Sequence, residues 1–281
     1  MHDRFAAPVP ARRLRRSILV ASATLLTLAL LAPGAASAAE PRAGGPVHDG
    51  IFLSLCRPSH VATDDPIVHP GEPGASHQHE FFGNTTTNAD STYASLRAGS
   101  TTCRIAADTA AYWVPTLYDD KQRVAPLRIN AYYLRGGGRG RVVAFPAGLK
   151  VIAGDSSATA PQSKAVTGWK CAGIRPQALS TAPIACPSTS HAVLIIRFPE
   201  CWNGKDLDSA DHQSHMAYRV RGACPTGYPV RLPRLSLNVH YRLSSTTGLT
   251  LASGSIYSSH ADFFNAWNQA VLTRLVRTNL N

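Results

Sequence analysis

The sequence predicts a single β-rich domain, all-β or nearly so, with a sandwich-like or jelly-roll-like build, one C-terminal helix and disulfide cross-links. Short apolar segments rich in aromatic and β-branched residues alternate with turn residues along most of the chain. The 21 glycines and 20 prolines supply those turns and leave few stretches long enough for helices. No internal repeat or linker divides the chain, so one domain is expected.

The predicted strands are short, and two of them are especially informative. Residues 193–198 form the most apolar run beyond the leader, which indicates a buried central strand. Residues 235–241 alternate between apolar and polar side chains, which indicates a half-buried strand with His240 on its solvent face. In chain order, the predicted strands are residues 51–55, 111–117, 129–134, 142–145, 149–153, 193–198, 235–241 and 249–253.

The remaining segments are interpreted as loops, apart from the end of the chain. Residues 60–84 hold three prolines, which exclude a helix through most of that segment. Near the C-terminus, Ser259 and Asp262 form a helix-capping pattern. The helix itself is predicted from apolar residues at helical spacing, namely Phe263, Phe264, Trp267, Val271 and Leu275.

The N-terminus has the pattern of a secretory signal peptide. A cluster of arginines precedes the apolar run 17–31, and a small-x-small cleavage site follows at 36–38. The run is shorter than the ~20 residues that a membrane span needs. We therefore expect residues 1–38 to be removed, residues 39–47 to form a flexible lead-in, and residues 48–281 to form the domain of a secreted, extracellular protein without membrane contact.

The chain is basic, but its basic residues are not clustered. The formal net charge of +11 falls to +7 when the five arginines and one aspartate of the leader are removed. The remaining lysines and arginines are scattered, which indicates a solvated surface rather than a nucleic-acid groove. An anionic cell-wall polymer is compatible with such a surface, and a monomer is expected.

Six cysteines lie beyond the leader, and an even number in an oxidising compartment indicates three disulfides. Cross-linking of short loops is geometrically easy, so sequential pairing is predicted. The chain has no C-x-x-C pair, which disfavours a cysteine metal site. The predicted pairs are Cys56–Cys103, Cys171–Cys186 and Cys201–Cys224.

Ionisable side chains are densest in residues 198–218, FPECWNGKDLDSADHQSHMAY. Asp206, Asp208 and Asp211 are candidate catalytic carboxylates, because two carboxyl groups across a sugar ring can act as general acid and base. Their D-x-D spacing also resembles part of a calcium loop, although the glycine and the terminal glutamate of that loop are absent. Aspartates that cap turns would give the same pattern.

The same segment contains His212 and His215, which share one face if they lie on a helical turn. An aspartate such as Asp211 beside them could orient an imidazole for catalysis, or both could belong to a buried structural network. The catalytic hypothesis includes both histidines. Trp202 and Lys205 are the candidate substrate contacts of this segment.

A second motif is His77-x-His79, which places two imidazoles on one face if the backbone is extended. These histidines are candidate ligands for a divalent metal and candidate substrate contacts, whereas ordinary surface histidines are the alternative. A catalytic zinc takes three protein ligands plus water. The third ligand is left open among His212, His215 and His260.

His260 and Asp262 are assigned to substrate binding, with helix-end residues as the alternative. Nucleophilic serine chemistry has no support, because no G-x-S-x-G motif occurs. Phosphate-loop and dinucleotide fingerprints are also absent.

Seven motifs occur in a fixed order along the chain. Through these motifs the chain resembles the DUF1996 family of secreted domains of unknown function over about residues 48–270. The motifs are HQHEFFGN (77–84), TTCR (101–104), AYWVPTLYDD (111–120), FPAGLKVIAGD (145–155), FPECWNGKDLD (198–208), DHQSHMAY (211–218) and HADFFNAWNQ (260–269). The resemblance implies export. It also points toward glycans, because some fungal members are similar in architecture to proteins with carbohydrate-binding WSC modules.

The resemblance carries the family's motif residues onto nine positions of this chain. Asn203, Tyr228 and Asn268 depart from the family pattern, which leaves the aspartates of the 198–218 segment as the carboxylate candidates. The matching positions are His77, His79, Asp206, Asp208, Asp211, His212, His215, His260 and Asp262.

These observations lead to the hypothesis of a secreted protein that acts on a polysaccharide or cell-wall glycan, hydrolytically, through a His/Asp cleft. We expect the distant imidazoles and carboxylates to meet in one hollow at one end of the β scaffold. Two alternatives stay open: a non-catalytic glycan-binding module and an extracellular metal-binding protein. A divalent metal is the candidate cofactor.

Overall fold

The computed structural model describes residues 50–138 and 140–281. The expected leader and lead-in lie outside the described residues, so the signal peptide stays a prediction. Within the described part of the chain, no helix is both long and apolar enough to cross a membrane.

The described chain is built from strands, with two helices. In order they are β1 Ile51–Cys56, β2 Pro58–Ala62, β3 His79–Gly83, α1 Tyr93–Ala98, β4 Ala111–Pro115, β5 Leu117–Asp119, β6 Gln122–Val124, β7 Pro126–Leu134, β8 Lys150–Gly154, β9 Thr167–Cys171, β10 Ala192–Arg197, β11 Cys201–Trp202, β12 Met216–Ala217, β13 Val230–Arg231, β14 Arg234–Tyr241, β15 Leu249–Leu251, β16 His260–Phe264 and α2 Gln269–Asn279. The β-rich fold class with a C-terminal helix is confirmed.

Two five-stranded antiparallel sheets form the body of the domain. Sheet A has the order β1-β7-β14-β10-β9, and sheet B has the order β2-β3-β4-β16-β8. One continuous apolar core takes side chains from the inner faces of both sheets, so the sheets pack face to face. Phe145, between β7 and β8, lies in edge contact with Tyr133 of sheet A and Phe263 of sheet B.

Sheet B is also covered on its outer face. The segment between β2 and β3 and the short helix α1 lie over it and close a second apolar cluster that includes Phe81, Trp113 and Phe264. All residues of β3, β4 and β16 are consequently buried. Polar side chains on that outer face are therefore removed from bulk water.

The alternation predicted for residues 235–241 is confirmed. Leu235, Leu237, Val239 and Tyr241 are fully buried in the core of the domain. The interpretation of His240 as a solvent-facing residue is wrong, since only 6% of its surface is exposed. A neighbouring loop covers it, and His191 Nε2 lies 2.8 Å from its Nδ1.

Three predicted element assignments are wrong. Residues 260–264 form strand β16, and the helix begins only at Gln269 with Asn268 as its N-cap. Phe263 and Phe264 point to opposite faces of a strand that is buried on both sides. The sequence therefore lacks the alternation of apolar and polar residues that marks a strand. Residues 142–145 form no strand, because the backbone of Val142 pairs with the side chain of Asn281. Residues 79–83, within the predicted loop, form β3.

All three predicted disulfides are present. They are Cys56–Cys103, Cys171–Cys186 and Cys201–Cys224, with sequence separations of 47, 15 and 23 residues. Among the described residues no cysteine is free. Such cross-links are typical of proteins from oxidising compartments.

Candidate metal centre

Three imidazoles converge on the outer face of sheet B. His77 precedes β3, His79 opens β3, and His260 opens β16, two strands away in the sheet. Each offers one ring nitrogen, and these nitrogens all lie within 4.8 Å of one another. The ring centroids are separated by 4.3 Å for His77–His79, 5.0 Å for His77–His260 and 5.9 Å for His79–His260.

Backbone carbonyl groups fix the orientation of two of these rings. His79 Nδ1 lies 3.0 Å from the carbonyl oxygen of Asp64, and His260 Nδ1 lies 2.9 Å from that of Ser258. Since a carbonyl oxygen only accepts, each Nδ1 carries the proton and each Nε2 presents its lone pair. His260 Nε2 faces His77 Nε2 at 3.2 Å, and His79 Nε2 is buried without a hydrogen-bond partner among the described residues. Histidines that bind a metal typically donate their other ring N–H to an oxygen atom in this way.

Two carboxyl groups extend the cluster. Asp262 is 1% exposed, and its Oδ2 lies 4.0 Å from His260 Nε2 with no hydrogen-bond donor among the described residues. Asp65 comes from the segment that covers the sheet, and its Oδ1 accepts hydrogen bonds from the backbone of the following turn. Asp65, His79 and Asp262 form a second set of ligand atoms within 4.8 Å of one another.

Burial sets the protonation of this cluster. Desolvation lowers the pKa of His77, lowers that of His260 to about 4, and holds that of His79 well below its ordinary value. The imidazoles are therefore neutral near pH 7, which is the form that binds a metal. Desolvation, and then the charge of Asp65, raise the pKa of Asp262 well above its ordinary value. Two adjacent buried carboxyl groups repel each other when ionised, and a cation between them would offset that repulsion.

The cluster is open on one side. His79 and His260 are buried, whereas His77 is only partly buried and follows a run of exposed residues, 71–75. Three imidazole ligands with one side facing solvent match a catalytic metal site rather than a closed structural one.

The predicted catalytic aspartate Asp206 lies in a different place, in the turn after β11. It accepts a hydrogen bond from Asn203 Nδ2 at 2.8 Å, and its backbone oxygen accepts one from Trp202 Nε1 at 2.6 Å. Lys205 is 83% exposed, with its Nζ 4.0 Å from Asp206 Oδ1. These contacts hold a turn together.

Asp208 links the same loop to sheet B. Lys150 Nζ lies 3.3 Å from one carboxylate oxygen of Asp208, and His212 Nδ1 lies 2.9 Å from the other. His215 is buried and makes two contacts, to Ser209 Oγ at 2.9 Å and to the backbone oxygen of Lys150 at 2.7 Å. The imidazoles of this loop are thus engaged in anchoring it.

Asp211 is an exposed turn-capping residue. Its Oδ1 accepts hydrogen bonds from Ser214 N at 2.8 Å, Gln213 N at 3.1 Å and Ser209 Oγ at 2.7 Å. These bonds, that from the Ser214 backbone first, lower the pKa of its carboxyl group. The arrangement is an Asx turn, one of the alternatives that the sequence left open.

The two groups of predicted site residues do not meet in one hollow. Lys150, which holds the 203–215 loop, pairs with Phe264 at one end of β16, whereas His260 lies at the other end opposite Gly154. Four residues of strand correspond to roughly 13 Å. The structure therefore selects His260, rather than His212 or His215, as the third imidazole beside His77 and His79. The catalytic roles of the aspartates in the 203–215 loop stay predictions.

The sequence reasoning missed Asp65. Asp64 and Asp65 precede Pro66 in the segment interpreted as a loop, and no local spacing ties them to a distant histidine. The two aspartates contribute differently, Asp64 through its backbone oxygen and Asp65 through its carboxylate.

Comparison with known proteins gives one match. No curated protein and no solved structure matches the chain. A family model described as "Domain of unknown function (DUF1996)" matches residues 65–267, a range that begins at Asp65 and includes the three imidazoles and Asp262. Because this match covers well over half of the sequence, the chain belongs to the DUF1996 family.

Proposed function

We propose that this chain is an exported, polysaccharide-directed hydrolase whose centre is a divalent transition metal held by His77, His79 and His260. The observation that carries the proposal is the convergence of three neutral imidazole nitrogens within 4.8 Å beside two carboxyl groups. Imidazole and carboxylate donors together suit zinc and neighbouring divalent metals.

A purely structural hydrogen-bond network explains this cluster less well than a metal does. Native proteins satisfy nearly all buried polar groups, and an unsatisfied one costs about 1–3 kcal/mol. His79 Nε2 and Asp262 Oδ2 both lack partners among the described residues, although both are buried. A cation coordinated by the imidazoles would satisfy His79 Nε2, and its positive charge would stabilise the Asp262 carboxylate.

The hydrolytic part of the proposal follows from the open side of the cluster. A divalent metal with three protein ligands keeps a position for water and lowers the pKa of that water toward 7, which supplies a nucleophile. Substrate would approach past His77, the partly exposed ligand. The glycan substrate is supported by the family resemblance, because some fungal members are similar in architecture to proteins with WSC modules. Export is supported by the three disulfides.

Metal analysis tests the centre directly. The purified protein is stripped with a chelator, dialysed against Zn²⁺, Cu²⁺ or Mn²⁺ in turn, and analysed for bound metal by mass spectrometry and calorimetry. We expect one ion per chain for the preferred metal and at least about a tenfold loss of affinity in His77→Gln. His77 is the best position to change, because its partial exposure makes misfolding least of a concern.

His191→Gln is the matched control. His191 also contacts a second histidine, His240, but it lies in the loop between β9 and β10 of sheet A. Equal metal affinity in the two variants, or no stoichiometric metal in the wild type, would overturn the centre. The metal-loaded protein is then incubated with glucans, chitin and wall polymers. Metal binding without release of sugar would reject the hydrolase and leave a metal-binding or glycan-binding protein.

A further inference from the structure

A second candidate site is a pocket of about 460 Å³ beyond the end of β10. We call it the arginine pocket, and its charged and aromatic lining consists of Arg197, Phe198, Glu200, Tyr218, Arg219 and Arg234. Its size lies within the range of ~300–1,000 Å³ that is usual for small-ligand sites.

The lining carries an excess of positive charge. Glu200 is the one carboxylate among the described lining residues, and it is already bound by Arg219, with Nε 2.6 Å from Oε1 and both side chains less than a tenth exposed. Arg197 and Arg234 therefore remain uncompensated by an acid of the pocket. Desolvation, and then the charge of Arg234, lower the pKa of Arg197, as expected for cations held close together.

Buried hydrogen-bond donors in this pocket lack acceptors. Arg219 Nη1 and Arg234 Nε are both buried without a hydrogen-bond partner among the described residues. Arg197 is held in place by Nη1, which donates to the backbone oxygen of Lys164 at 2.8 Å. Guanidinium groups with free donors suit carboxylate and phosphate oxygens, because their planar fork can bind two oxygens at once.

The pocket adjoins β8, the strand that pairs with the strand carrying His260. The hydroxyl of Tyr218 donates to the backbone oxygen of Arg197 at 2.9 Å and is also hydrogen-bonded to the backbone of Gly154, which pairs with His260 in sheet B. The ring of Tyr218 is thereby fixed at the rim of the pocket, where it is 37% exposed and available to stack on a sugar ring.

We propose that the arginine pocket binds an oxyanion borne by a sugar, a carboxylate or a phosphate, so that the substrate class is an acidic polysaccharide. The polysaccharide part of this inference rests on the proposed function. The anion-binding part rests on the free guanidinium donors and the uncompensated charge of the pocket alone.

Calorimetric titration tests the pocket with three probes of equal length: an oligogalacturonate, a phosphorylated oligosaccharide and a neutral malto-oligosaccharide. We expect one of the two acidic probes to bind at least about tenfold more tightly than the neutral one, with affinity that falls as salt rises. Arg234→Gln should weaken that binding about 10- to 100-fold, since it removes charge-assisted hydrogen bonds. Arg104→Gln, an exposed arginine outside the pocket, should leave it unchanged.

Equal affinity for acidic and neutral probes, or equal behaviour of Arg234→Gln and Arg104→Gln, would overturn the arginine pocket. Whichever acidic probe binds identifies the oxyanion. The same titrations on His77→Gln separate this inference from the metal centre. A functional arginine pocket keeps its preference in that variant, whether or not the metal centre exists.

Discussion

Arg123 compensates a buried carboxylate next to His79 in the chain, and Arg123→Met should destabilise the domain markedly. Glu80 follows His79 in β3, but its side chain points to the opposite face of the strand and is 0% exposed. Arg123 donates from Nε to one carboxylate oxygen at 2.6 Å and from Nη2 to the other at 2.7 Å. This bidentate pair is the strong form of the interaction.

The size of the effect follows from the burial of each partner. Removal of one partner from a buried ion pair costs about 3–5 kcal/mol, because the remaining charge stays in a medium that solvates it poorly. The side chain of Arg123 is 42% exposed, so water can enter the space that methionine leaves and solvate Glu80 in part. We therefore expect the free energy of unfolding to fall by about 2–3 kcal/mol, at or just below the lower end of that range.

Urea unfolding at pH 7 of the wild type, Arg123→Met, Glu80→Gln and the double variant measures this effect. The double variant should regain at least half of the loss of Arg123→Met, since no buried charge then remains. Arg104→Met, at an exposed position, is the control and should change stability by less than about 0.5 kcal/mol. Arg123 has no such compensating role if Arg123→Met behaves like the control, or if the effects of the two single changes simply add in the double variant.

Two further predictions concern stability. Burial raises the pKa of Asp108 to about 7 from the ordinary 3.8, so the folded protein holds this proton more tightly than the unfolded chain. The free energy of unfolding should thus fall by on the order of 4 kcal/mol at most as pH rises from about 4 to about 7. In Asp108→Asn the urea unfolding midpoint should depend less on pH across that range. A pH dependence equal to that of the wild type would contradict this prediction. Asn268 accepts a hydrogen bond from Val271 N at 3.2 Å as the N-cap of α2. Asn268→Ala should cost about 1 kcal/mol in thermal unfolding and Asn268→Ser much less, so equal losses would reject the capping role.

The sequence reveals strands best where the two faces of the strand differ in polarity. In β14 the inward residues Leu235, Leu237 and Val239 alternate with polar neighbours, and a period of two can be read directly. Sheet B has both faces covered, and β16 reads HADFF with every residue buried. A strand of that kind has no alternation, and two adjacent phenylalanines followed by Trp267 imitate helical spacing. The helix was therefore predicted to begin several residues too early.

The candidate site was predictable only as far as local spacing reaches. His77 and His79 are two residues apart, and the extended backbone at the start of β3 brings them together as expected. His260 is separated from His77 by 183 positions, and only the order β3-β4-β16 places them side by side. A pairing order of strands is a tertiary property, so the sequence left the third ligand open among three histidines.

The dense polar segment was a poorer guide, for a physical reason. Residues 203–215 lie inside the loop closed by the Cys201–Cys224 disulfide, and they have no regular structure of their own over that length. Backbone groups in such a loop must find partners outside a sheet or helix. Asp211 and Asn203 supply those partners through their side chains. The many polar side chains of this segment are thus explained by hydrogen bonding in its turns at least as well as by a catalytic role.

The outer face of sheet B gives the stronger argument for function, because it mixes two kinds of residue in one layer. Phe81, Trp113 and Phe264 fill one part of that face with apolar side chains. His79, His260 and Asp262 occupy neighbouring positions on the same strands and are equally buried. Apolar side chains there would bury surface without leaving unpaired atoms, so the polar cluster lowers stability unless a ligand satisfies it. A fold that accepts this loss at one end of an otherwise apolar layer is expected to use that end. Coordination of a cation would account at once for the unprotonated Nε2 atoms of His79 and His260 and for the nearby carboxyl groups.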